Sequence, residues 1–121
     1  MSDRGHLLYL EDIRDSIDAI QSFVKDISLE SFISDRKTFS ATVRELEIIG
    51  EAAGRISTQI QQQFPDIPWR TMKDFRNVLA HQYFGINANI VWDVVIRKLP
   101  ELKSQIHAAL EKLSEGTEGK K

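Results

Sequence analysis

The 121-residue chain has no cysteine, which excludes disulfides and thiolate metal sites and fits a reducing compartment. Proline occurs three times, at Pro65, Pro68 and Pro100. No apolar run approaches the roughly 20 residues needed to span a bilayer. The opening MSDRGHLLYLEDIRD lacks the basic-then-apolar layout of a signal peptide, so a cytoplasmic protein is expected. There is no excess of positive charge either. A formal net charge of −2 argues against a general nucleic-acid coat and leaves room only for a local site. Three histidines, His6, His81 and His107, show no metal-ligand spacing, and no Glu-x-x-His pair of the di-iron bundles occurs. Gly-rich phosphate loops, nucleophile elbows and dinucleotide fingerprints are missing too. Neither a metal nor a cofactor is expected.

What the chain does have is helical periodicity, and no β-alternation or internal repeat interrupts it. Apolar residues Leu7, Leu10, Ile13, Ile17, Ile20, Val24 and Ile27 follow steps of three or four, one stripe of an amphipathic helix that Asp3 is placed to cap. SLESFISD reads as a short helical turn bearing Phe32 and Ile33. A second long helix is expected from Ser34 or Asp35 to about Gln63, with the stripe Phe39, Val43, Leu46, Ile49, Ala53, Ile56 and Ile60. Inside it Gly50, Ala53, Gly54 and Ser57 form a run of small residues. Each glycine costs a helix about 1 kcal/mol against alanine, so a close backbone is implied, from a bundle neighbour or from a second copy.

FPDIPW breaks the pattern, and Pro68 suits the first turn of a helix running to about Ala80. Asn87 or Asn89 is placed to cap a last helix, Ile90 to Leu113, which Pro100 should kink or divide. The expectation is an all-α, up-and-down bundle of four or five helices in one domain, residues 1–113, followed by a disordered polar tail, 114–121. Glu47 and Glu51 share a helix face, but Arg55 lies four beyond Glu51, and an ordinary surface ion pair is the simpler account. His107 flanks the last stripe and reads as a solvated residue.

The chemically dense stretch is FRNVLAHQYFG, Phe75 to Gly85. At 100° per residue Asn77 and His81 share a face, as do Arg76 and Tyr83, whereas Arg76 and His81 lie about 140° apart. The residue types suit metal-independent RNA cleavage. His81 would serve as base or acid, Arg76 would hold two phosphate oxygens, Asn77 would orient or donate, and Tyr83 would donate or stack. Arg70, Lys73 and Arg76 supply local positive charge against Asp74 alone. One histidine does not easily act as acid and base in the same step; a two-fold dimer would supply two of each group in one cleft. Spacing alone leaves a structural histidine the simpler reading.

At these residues the chain resembles the HepT-like toxins of the HEPN superfamily. RNVLAHQY has the family's Arg-x4-His-x-Tyr pattern, and YLEDIRDSIDAI, IIGEAAGRIS, FPDIPWRTMKDFRN and IVWDVVIRKLPELKSQI follow the family's order. The resemblance implies a toxin endoribonuclease of a type VII-like toxin–antitoxin pair. Arg76 and His81 would be the catalytic pair, and Asn77, Tyr83 and Lys73 the supporting RNA-binding residues. It also implies an active cleft between two protomers and a MntA-like nucleotidyltransferase antitoxin that moves AMP from ATP onto Tyr83. The competing expectation is a non-catalytic helical module that binds a nucleotidyltransferase partner or a nucleotide.

Overall fold

The computed structural model describes residues 3–81 and 85–118. Among them every regular element is helical, and no helix is long and apolar enough to cross a membrane. Helix α1, Asp3–Val24, buries Leu10, Ile13, Ile17, Ile20 and Val24, the stripe its periodicity announces. Burying each such side chain fully is worth about 1.5–3 kcal/mol over leaving it in water. The helix ends before Asp26, whose φ of 61° is a left-handed conformation that aspartate tolerates better than most residues. Ser28 then caps α2, Leu29–Ser34, by accepting from the Ser31 amide at 3.1 Å. Phe32 of α2 is fully buried, edge-on to Phe39 and tilted against Trp92.

Asp35 starts α3, Arg36–Arg55. Its carboxylate accepts from the amides of Lys37 and Thr38 and from the Thr38 hydroxyl at 2.7 Å. These bonds, the hydroxyl's first, hold the Asp35 carboxyl below the usual aspartate value. The helix does not continue to Gln63. Ile56 is extended, with ψ of 134°, and the Ser57 side chain caps a separate short helix, α4, Thr58–Gln63. A capping serine directly after this break provides the restart. Ile56 and Ile60 both remain buried, so the apolar period crosses a helix break that periodicity alone does not reveal.

Trp69 opens α5, Trp69–His81, directly after Pro68, and its indole N–H donates to the Phe64 carbonyl at 3.0 Å across the intervening loop. Of the two candidate caps, Asn87 is the one that caps the next helix, α6, Ala88–Asp93, which starts two residues before Ile90. A π-helical turn, Val94–Lys98, joins α6 to α7, Leu99–Glu118. In it the Leu99 amide donates to Val94, five residues back. Pro100 follows at once, and the π-helical turn is how the chain accommodates it: the helix is modified, not broken. α7 runs as helix to Glu118, into the segment whose composition alone suggests a disordered tail.

Four long helices, α1, α3, α5 and α7, carry the packing, and three helices of six residues join them. α3 is central, with α1 on one flank and α5 on the other, and α7 lies against α1. Lys103 ties α7 to α1 by contacts of 3.1 Å to both Asp18 and Gln21. This arrangement leaves the outer surface of α5 and one edge of α3 facing water together.

Candidate active site

Helix α5 buries Trp69, Met72 and Leu79, with Phe75 partly covered between them, a stripe stepping by three or four. Arg76 lies on the margin of this stripe and is half-buried. Its placement depends on Gly50 of α3. A Cβ on Gly50 would collide with the Arg76 Cβ, stand 2.8 Å from its Cγ and 3.0 Å from the Met72 carbonyl oxygen. Only a residue without a side chain lets the two backbones come this close. Gly50 is therefore explained by a bundle neighbour. Gly54 is looser, with the Lys73 Cδ at 3.9 Å as the nearest atom.

The Arg76 guanidinium is held from two sides. Its Nη1 donates to the Asn77 side-chain oxygen at 2.9 Å, and its Nη2 stands 3.7 Å from Glu51 Oε1. Glu51 thus pairs across the helix interface with Arg76 and not along its own helix with Arg55, which corrects the sequence expectation. The reason is geometric: Gly50 draws α5 close at the adjacent position, so an inter-helix cation is nearer than the one a turn away. Asn77 uses its carbonyl oxygen on Arg76, which makes it a support for the arginine. Val78 is exposed, and so are Ala80 and His81, the last helical residues of α5.

Lys73 is exposed, one turn before Arg76. Arg70 is engaged with Asp74 at 3.8 Å, a fully solvated i,i+4 pair that contributes little. Tyr83 lies outside the described residues. Of the other histidines, His107 is exposed, whereas His6 is buried with its ring edge-on to Tyr9. No group of three or more potential metal ligands occurs among the described residues.

Arg76 and His81 remain on different sides of one helix, as their separation of about 140° requires. The single chain brings together Arg76, Asn77, Gly50 and Glu51; it does not focus Arg76 and His81 on one atom. Sequence reasoning missed Glu51 as the arginine's partner, although the Glu47–Glu51 spacing marked the correct helix face.

Residues 13–109 match the family described as ribonuclease HepT-like. A protein of Thermococcus cleftensis named "Probable ribonuclease HepT" is 42% identical over 102 residues, which are 84% of this chain and 93% of that one. A "Putative RNase" of Methanocaldococcus jannaschii is 38% identical over 106 residues, 88% of this chain and 97% of its own length. Another "Putative RNase", from Caldanaerobacter subterraneus subsp. tengcongensis, is 36% identical over 104 residues, covering 86% and 93%. No solved structure matches. With the match spanning the helices that carry Gly50, Glu51, Arg76 and His81, the chain belongs to the HepT-like ribonuclease family.

Proposed function

We propose that this protein is an endoribonuclease and the toxin of a toxin–antitoxin pair, cutting RNA without a metal ion. The observation that carries the proposal is a guanidinium held in place by Asn77 and Glu51, with a solvent-facing imidazole at the end of the same helix. Cleaving a phosphodiester needs both: a fixed cation for its oxygens and a group that can take and give a proton.

In the proposed reaction the His81 imidazole removes the proton of a ribose 2′-OH, and the 2′-oxygen attacks the adjacent phosphorus. Arg76 holds the non-bridging oxygens as negative charge gathers on them. The bond to the 5′-oxygen breaks, and that oxygen takes a proton from a second imidazolium. The products are a 2′,3′-cyclic phosphate and a free 5′-hydroxyl. The second imidazolium belongs to His81 of another copy, in a homodimer whose cleft joins two α5 helices. The 140° separation within one chain motivates this assembly. Regulation in this reading is by a MntA-like nucleotidyltransferase, which moves AMP from ATP onto the Tyr83 oxygen and releases pyrophosphate. A nucleotide there adds negative charge and bulk two residues from His81.

The deciding experiment is RNA cleavage in EDTA by wild type and His81→Ala, with and without co-expression of the nucleotidyltransferase. Wild type is expected to cut, the variant to be inactive, and the co-expressed protein to be inhibited. Equal activity of wild type and variant refutes the role of His81. A need for added magnesium refutes the metal-free mechanism.

A further inference from the structure

We infer that a groove at Ala80, near the end of α5, holds the RNA backbone next to the cut, with Arg44 of α3 as its phosphate-binding residue. The inference rests on the ribonuclease reading above. It comes from the register of the two helices. Gly54 meets Lys73 and Gly50 meets Arg76, so α3 and α5 run antiparallel. Continuing that register brings the start of α3 level with the end of α5. There a groove of about 600 Å³ opens, lined by Ser40, Ala41, Val43, Arg44 and Glu47 of α3 and by Ala80, the neighbour of His81.

Arg44 is exposed on this wall, and among the described residues it enters no ion pair within 4.0 Å. Arg76, by contrast, already has Glu51 and Asn77. The small side chains of Ala41 and Ala80 leave the space above the groove floor open. Ala80 lies four residues beyond Arg76, about 6 Å along the helix axis. That displacement is of the order of one nucleotide step along a stretched strand. A strand that leaves Arg76 toward this end of α5 therefore enters the groove at Ala80 and presents its next phosphate to Arg44. Glu47 lines the same groove one turn on and repels phosphate, which confines the anion to the Arg44 end. In a chain of net charge −2, RNA affinity has to come from such local cations.

The test is fluorescence anisotropy with a fully 2′-O-methylated single-stranded RNA, which lacks the attacking hydroxyl and stays intact. Arg44→Ala is compared with Arg97→Ala, an equal loss of charge at an exposed site on the π-helical turn. Arg44→Ala is expected to weaken binding about fivefold or more and to lower the salt slope by about 0.7. Arg97→Ala should stay within about twofold of wild type, because Arg97 is outside the groove lining and already paired with Asp93 at 3.5 Å. On a cleavable RNA, Arg44→Ala should raise KM and leave kcat nearly unchanged, and Arg44→Lys should recover part of the affinity. Equal affinities for the two alanine variants, or a fall in kcat with unchanged KM, would overturn the inference. A wild type that neither binds nor cuts RNA would instead overturn the ribonuclease reading itself.

Discussion

Replacing Gly50 by alanine sets two effects of known size against each other. Alanine is the better helix former by about 1 kcal/mol, so on propensity alone the variant gains stability. Against this, the added methyl overlaps the Arg76 Cβ and stands 3.0 Å from the Met72 carbonyl oxygen. Neither atom is the far end of a flexible side chain; both move only if the α5 backbone moves. Overpacking of this kind costs about 1–3 kcal/mol, and a backbone obstacle puts it at the upper end. The net expectation is a loss of about 1–2 kcal/mol, or roughly 4–8 °C in Tm for a domain of this size. Gly54→Ala is the matched comparison, since its nearest neighbour is a lysine methylene at 3.9 Å. It should raise Tm by a few degrees through the same propensity term. Thermal melts followed by far-ultraviolet circular dichroism measure both. If Gly50→Ala is stabilised as much as Gly54→Ala, then α3 and α5 do not approach as described, and the account of how Arg76 is placed fails with it.

Two further outcomes follow from individual side chains. The Asp35 carboxyl titrates below its ordinary value because its ionised form caps α3. Its contribution to stability is therefore present above the ordinary aspartate pKa and is lost as pH falls through the lowered one. Urea melts between neutral and strongly acidic pH should show Asp35→Asn losing less stability on acidification than wild type; parallel curves would refute the linkage. For Glu51→Gln, RNA cleavage should fall by at most about fivefold, because a half-exposed ion pair is worth up to about 1 kcal/mol. The fall should appear with little change in Tm, and a collapse of Tm would show that Glu51 serves the fold instead.

Much of this molecule is legible in its sequence, and the limits of that legibility are local. The α1 stripe can be read because one face of one straight helix is buried, so period and burial coincide. The break at Ile56 cannot, because Ile56 and Ile60 keep their place in the period while the backbone between them turns extended. Pro100 signals a disturbance, but whether a helix answers with a kink, a gap or a π-helical turn depends on how its two halves are anchored. Here α6 is anchored by α2, and α7 by α1. At the site, residue chemistry marks Arg76 and His81, and helical geometry keeps them apart. Gly50 and Glu51 are joined to Arg76 only by packing between helices, and no spacing rule spans that distance in sequence. The same holds for Arg44 and the groove beside Ala80.

The loose fit between Arg76 and Glu51 has a consequence of its own. At 3.7 Å the contact fixes charge against charge but is too long to be a hydrogen bond. A guanidinium has five N–H groups, and among the described residues one is committed, to Asn77. The side chain has thus given up much of its rotational freedom on folding while keeping most of its donors unspent. An arginine free in solvent would lose up to about 2 kcal/mol of rotamer entropy on grasping an anion. Arg76 meets its anion already narrowed to few conformations, with four N–H groups not spent on any described residue.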